Sequence, residues 1–346
     1  PDGPASPGAL PLHAMRHLIA LLSLILAAAC TPVVIPAGPA VTMPTLAEDA
    51  VIAADGARLP LRRFDSEGPP RAVMLALHGF NDHAGNFLLD SQAAFARAGL
   101  LVYAYDQRGF GRAPNRGYWP GADSLVDDAV QAARLLRARH PGLPFFMLGE
   151  SMGAAVTILA ATGESPPPVD AYVLVAPALW QRALMSGLMR GTIWLAERTF
   201  PALPFQGGVG GVVASDNEGA LRRLGRDPLV IRTTRVDAVL GLMDLMDAAS
   251  LALPRCCRGA GGAQRPALLL YGEQDMLVPA SMTRAALRSL PPDSRLRMGV
   301  YPDGYHLLLA GRTRAEVARD IVTFLENPAA PLPSGAEENA PRWLNR

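Results

Sequence analysis

The chain has 346 residues, half of them hydrophobic, which is enough for one large domain with a sizeable core and an inserted subdomain, and excludes a disordered protein. Its formal charge is +1, with both signs spread along the sequence, so the concentrated basic face needed for nucleic-acid binding is excluded. All 32 basic residues are arginine, which removes Schiff-base chemistry, a Ser-x-x-Lys mechanism and a Walker-type phosphate loop.

Residues 1–14 are rich in proline and glycine, and Met15 then opens a stretch with the features of a secretory signal: Arg16 and His17, followed by the apolar run Leu18 to Ala29. That run is too short to cross a bilayer, which takes about 20 residues. It ends Leu26-Ala27-Ala28-Ala29-Cys30, which resembles a bacterial lipoprotein signal whose cysteine becomes the lipidated first residue, with the leucine one place further back than usual. The expectation is a leader over residues 1–30, a lipid on Cys30, and a proline-rich tether over 31–49 holding an exported domain to a membrane of a bacterial envelope.

Ala50 to Ala54 and Arg58 to Phe64 flank Asp55-Gly56 and predict an opening hairpin. Buried strands are predicted at Ala72 to Leu77, Leu100 to Tyr105, Phe145 to Leu148, Ala171 to Val175, Ala267 to Tyr271 and Leu296 to Tyr301. Helices are predicted at Ala84 to Ala98, Ser124 to His140, Ala280 to Leu290 and Thr313 to Glu326, with another after Gly153. This alternation is the α/β class, a mostly parallel sheet covered by helices on both faces. The pattern breaks over about 178–249, where apolar helical stretches run without intervening strands and predict an inserted helical cap. Residues 328–346 are proline-rich and predict a flexible tail. Cys256 and Cys257 lack zinc-ligand spacing, and as neighbours they are poorly placed to bridge each other, so two thiols in a loop or an odd redox feature of an exported protein are the readings, in place of a fold-holding framework, and the sequence leaves their state open.

Gly149-Glu150-Ser151-Met152-Gly153 lies between a strand and a helix, the order of a nucleophile elbow. A sharp turn there lifts the serine hydroxyl above the sheet edge, and the flanking glycines avoid collisions. A serine hydroxyl is a poor nucleophile at neutral pH, so Ser151 needs an imidazole to take its proton and a carboxylate to hold that imidazole. Of the six histidines, His306 follows the strand ending at Tyr301 and is the candidate base. Asp275, preferred to Glu273 because it lies deeper in its loop, is the candidate carboxylate. Negative charge on the attacked carbonyl oxygen calls for two amides, expected from Met152 and from Phe80 in His78-Gly79-Phe80.

Taken together, His78-Gly79-Phe80, Tyr105-Asp106-Gln107-Arg108-Gly109-Phe110-Gly111, the elbow, Gly272-Glu273-Gln274-Asp275 and Gly304-Tyr305-His306 resemble the α/β-hydrolases of the monoacylglycerol lipase and lysophospholipase-like group. The resemblance covers about residues 50–327. It implies a serine carboxylic-ester hydrolase with Ser151, Asp275 and His306 as triad, a cap over an acyl pocket, a lipid or small-ester substrate, and no metal or organic cofactor. In this resemblance Asp106 and Arg108 form an ion-paired structural turn. Two other readings stand beside it: a serine aminopeptidase-type peptidase, for which a cap cluster drawn from Asp216, Glu218, Asp227, Asp237, Asp244 and Asp247 would hold the substrate amine, and a non-catalytic envelope binding lipoprotein.

Overall fold

Runs of apolar residues with no polar alternation suit strands buried on both faces. In the computed structural model β4 (Ala72–Leu77), β5 (Leu100–Tyr105), β6 (Phe145–Glu150), β7 (Ala171–Val175) and β10 (Ala267–Gly272) are buried along their whole length. The structure describes residues 31–206, 212–257 and 263–346, together with His17. Cys30 and the rest of the expected leader lie outside the described residues.

With β1 (Thr45–Leu46), β2 (Ala50–Ile52), β3 (Arg58–Phe64) and β11 (Leu296–Tyr301), these strands form one sheet in the order β1-β2-β3-β5-β4-β6-β7-β10-β11. The strands from β5 to β11 pair in parallel, while β1, β2 and β3 pair antiparallel at one end. Helices α2 (Ala122–Arg139) and α3 (Met152–Ala160) pack on one face through residues such as Leu125, Ala132, Leu136 and Val156. On the other face, α1 (Gln92–Arg97) and α8 (Arg314–Glu326) supply Phe95, Val317, Ile321 and Phe324.

The expected helix over Ala84 to Ala98 is reduced to α1. Side chains hold the preceding segment in turns: Asp106 accepts the Ala84 amide at 2.9 Å, and Asp82 accepts the His83 amide and the Asn86 side-chain amide, each at 2.9 Å. Such local bonds compete with the helical ladder. Arg108 makes the expected structural ion pair, reaching Asp55 in the hairpin turn at 2.7 Å and Asp128 of α2 at 2.8 Å. Asp106 instead accepts amides, those of Ala84 and Arg112.

The insertion holds α4 (Gly187–Thr199) and α5 (Glu218–Arg226), and also strands β8 (Pro204–Gln206) and β9 (Thr233–Arg235), an antiparallel pair. Strands of three residues carry too little periodicity to be read beforehand. The next helix, α6 (Val236–Ala252), sinks Leu245, Met246 and Ala249 into the main core.

Two further expectations are corrected. The segment expected as a free tether is strapped to the domain: Val34 bridges Trp119, the Ala37 amide donates to Ser124 Oγ at 2.8 Å, and Leu46 pairs with Val51. The expected flexible tail carries α9 (Ala336–Leu344), beyond α7 (Ala280–Arg288). Ala336, Ala340 and Trp343 recur at helical spacing and are buried, and the Trp343 ring lies 4.7 Å from that of Tyr271. Cys256 and Cys257, whose state the sequence leaves open, form a disulfide, with Cys257 at φ 74°.

Candidate active site

A parallel sheet delivers the ends of its strands to one edge, and ligands bind there. Ser151 follows β6, Phe80 follows β4, Asp275 follows β10 and His306 follows β11. Ser151 has φ 54° and ψ −116°, a conformation costly for a residue with a side chain. Glycine is required beside it: a Cβ on Gly149 would lie 2.3 Å from the Gly153 carbonyl oxygen, and one on Gly153 would lie 2.2 Å from that of Leu77. Backbone bonds brace the turn, with the Ser151 amide donating to Val175 O at 2.9 Å and its carbonyl accepting the Ala178 amide at 3.1 Å.

The structure brings the three predicted side chains together. His306 Nε2 lies 2.9 Å from Ser151 Oγ, and His306 Nδ1 lies 2.7 Å from Asp275 Oδ2. The other oxygen of Asp275 accepts the amides of Leu277 at 2.8 Å and Val278 at 3.0 Å, so the carboxylate has one orientation. Glu273 turns away and pairs with Arg346. Both His306 and Asp275 are buried. Burial disfavours the imidazolium, yet the Asp275 carboxylate outweighs it and holds His306 above its ordinary pKa. The arrangement suits proton removal from Ser151 by a neutral imidazole whose Nδ1–H is held by Asp275.

Met152 begins α3, so its amide has no intrahelical acceptor and points out of the helix N-terminus. Phe80 follows Gly79, where an added Cβ would lie 3.3 Å from Ser151 Cβ, so the chain passes tightly beside the serine. The loop is held from behind. His78 Nε2 accepts the Gln107 amide at 3.0 Å, so the ring proton sits on Nδ1 and is donated to Gly79 O at 2.8 Å. The Gln107 side chain donates to His78 O at 2.8 Å. Burial pushes the His78 pKa down to about 4, so the ring stays neutral.

Two features escaped the sequence reading. Glu150 is buried beside Ser151, its Oε1 has no hydrogen-bond partner among the described residues, and burial pushes its carboxyl up to about 8. Its position in the elbow was visible, but its environment depends on the His306 loop. The insertion is also latched to the Phe80 loop: Asn81 donates to Thr234 Oγ1 at 2.8 Å, His83 Nε2 lies 2.9 Å from Asp227 Oδ2, and the Ile231 amide donates to Asn81 O at 2.9 Å.

Sheet order, elbow and the order of the three side chains define an α/β-hydrolase. A match to the serine aminopeptidase, S33 family spans residues 68–312, and the chain belongs to that family. It is similar to the monoacylglycerol lipase of Mycolicibacterium smegmatis, 26% identical over 286 residues that cover 81% of this chain and 97% of the relative. The monoglyceride lipase of Rattus norvegicus is 28% identical, covering 75% and 82%. The fold matches that of the Paleococcus ferrophilus monoacylglycerol lipase at a TM-score of 0.59 and 24% identity, covering 77% of this chain and 98% of that one. A soluble variant of the Saccharomyces cerevisiae monoglyceride lipase, solved with a substrate analog, gives a TM-score of 0.66 at 18% identity, covering 86% and 100%.

Proposed function

We propose that this protein hydrolyses fatty-acyl esters such as monoacylglycerols or lysophospholipids through an acyl-enzyme on Ser151. The observation that carries the reading is the unbroken chain from Ser151 Oγ to His306 to Asp275, at 2.9 and 2.7 Å, on a strained elbow. Ser151 Oγ attacks the ester carbonyl as His306 takes its proton, and the amides of Phe80 and Met152 receive the oxyanion. His306 passes that proton to the leaving alcohol as the ester C–O bond breaks. Water, deprotonated by the same imidazole, then attacks the acyl-enzyme, and the proton returns to Ser151 as the fatty acid leaves. None of these steps calls for a metal or an organic cofactor.

Ester hydrolysis is favoured over aminopeptidase activity by the state of the acids in the insertion and at its exit. Asp227 is taken by His83, Glu218 by Arg222, Asp237 by Arg235 and Asp244 by Arg182, while Asp216 and Asp247 accept the amides of Arg312 and Arg182. Each is engaged locally instead of converging on Ser151. The relatives named as monoacylglycerol and monoglyceride lipases support the substrate class. Fatty-acid release from a long-chain monoacylglycerol is the test, run beside Ser151→Ala. Release by the unchanged protein alone is expected, and equal release by both would overturn the mechanism.

We further propose that the protein is exported and held to an envelope membrane by a lipid on Cys30. The signal-like run from Met15 to Cys30 is what supports it. Incorporation of labelled palmitate that disappears in Cys30→Ser is the expected result.

A further inference from the structure

Pro32 and Pro36, which give the strap the look of a tether, alternate with its hydrogen-bond donors. The amides of Val33, Ile35 and Ala37 share one side, as every second amide of an extended chain does. Each finds an acceptor: Asp237 Oδ2 at 3.0 Å, Trp119 O at 2.9 Å and Ser124 Oγ at 2.8 Å. Proline has no amide hydrogen, so it suits the positions between, and it stiffens the segment before it docks. The acceptors stand on three elements: Asp237 on α6, Trp119 in the loop between β5 and α2, and Ser124 in the first turn of α2. All three are buried, so the strap is fastened to prepared places on the domain.

Trp119 connects the strap to the catalytic edge. Its indole lies against α6 at Gly241, where an added Cβ would be 2.3 Å from the ring, so only glycine admits this approach. The indole also meets Phe80, with ring centroids 6.4 Å apart, and the Phe80 ring meets Phe110 edge-on at 5.5 Å. Phe80, whose amide receives the oxyanion in the proposed mechanism, is thereby wedged between Phe110 and Trp119. Asp237 lies one helical turn before Gly241. Val33 and Ile35 therefore tie together the two elements, α6 and the Trp119 loop, whose contact keeps the indole against Phe80.

We propose that residues 33–37 clamp Trp119 against α6, and that Trp119 is a positioning residue holding the Phe80 amide where the oxyanion forms. The proposal rests on the acyl-enzyme reading for the role of Phe80, and on the strap's own bonds for the rest. Loosening Trp119 leaves Ser151, His306 and Asp275 bonded to one another, because none of those bonds passes through the strap or its loop. What is lost is stabilisation of charge that exists only in the transition state, which lowers kcat and leaves KM nearly unchanged.

The test uses the full chain, a soluble short nitrophenyl ester, and an alkyl trifluoromethyl ketone whose adduct with Ser151 carries an oxyanion. Trp119→Leu is expected to lower kcat about ten- to a hundredfold at nearly unchanged KM, to weaken the ketone by a similar factor, and to leave the pH midpoint in place. Trp119→Phe should restore most of the loss. Ile35→Pro, which removes the strap's donor to Trp119 O, should lower kcat about three- to tenfold alone and have little further effect in Trp119→Leu, because the two act through one contact. A strap with a structural role only would lower the unfolding temperature and leave kcat and ketone affinity of the folded protein unchanged, which would overturn the proposal. Full additivity of the two substitutions would also overturn it. Should Trp119→Leu fail to fold, Ile35→Pro decides alone, an unchanged kcat counting against the proposal. Undiminished turnover by Ser151→Ala would instead overturn the acyl-enzyme mechanism. Cleavage of the short ester but not of a long-chain monoacylglycerol would fell the substrate class, with the same kcat ratios still supporting the clamp.

Discussion

Asp275→Asn separates orientation of the base from its mere presence. One oxygen of Asp275 accepts two backbone amides, from Leu277 and Val278, and the other faces His306 Nδ1 at 2.7 Å. Asparagine keeps only one acceptor oxygen. Turning its NH2 toward the two amides would oppose three donors and lose both bonds, so the oxygen stays there and the NH2 faces His306. The imidazole must then accept at Nδ1 and carry its proton on Nε2, the nitrogen that should take the proton from Ser151. The variant keeps its fold and loses its base. By analogy with the same change in other serine hydrolases, kcat falls by about four decades, which is roughly 5 kcal/mol of transition-state stabilisation. Hydrolysis of a soluble nitrophenyl ester at pH 7.5 measures it, with thermal unfolding as the control for structure. A folded variant retaining more than a tenth of the kcat would refute the argument.

Further predictions follow from burial and charge. Because Asp275 raises the pKa of His306 and the neutral ring is the active form, kcat/KM should rise with pH through a midpoint above about 6.5, and a midpoint below that value in initial-rate profiles would contradict the assignment. Glu150 moves from 4.5 to about 8 on folding, so stability is full below pH 4.5 and is lost as pH rises toward 8, by up to about 5 kcal/mol; Glu150→Gln should remove that slope in denaturant titrations at pH 5 and 9. Gly153→Ala forces a Cβ against the Leu77 carbonyl, a backbone atom that cannot move aside, and should cost more than about 3 kcal/mol, read as loss of soluble folded protein. Trp343→Ala should destabilise by about 3–5 kcal/mol in equilibrium unfolding, whereas a dispensable tail would show no change.

How much of this was legible beforehand depends on the range of the interactions. The strands Ala72–Leu77, Leu100–Tyr105, Ala171–Val175 and Leu296–Tyr301 were read to the residue, since a short apolar run between turns has few other uses in an α/β chain. The juxtaposition of Ser151, Asp275 and His306 was legible because each follows a strand of such a sheet and their order is informative. The turns of residues 79–91 were not, because they depend on Asp106, which belongs to another strand's loop. The strap was read as a tether from its prolines, yet its bonds run to Trp119, Ser124 and Asp237, which no local pattern reveals. The proline-rich stretch before α9 likewise hid a helix whose buried residues pack against distant parts of the chain, such as Trp343 on Tyr271.

Helix α9 also bears on how the chain avoids self-association. β11 is the outermost strand on its side, and a strand in that position offers unpaired main-chain groups to any passing extended segment. Asn339 of α9 donates its side-chain amide to the Val300 carbonyl at 3.1 Å, and Arg297 at the start of β11 is paired with Glu337 of the same helix. The last turns of the chain thus act as an end-stop for the sheet, shielding an edge that would otherwise template β-addition. Truncation before Ala336 would therefore be felt as aggregation, even with every catalytic group in place.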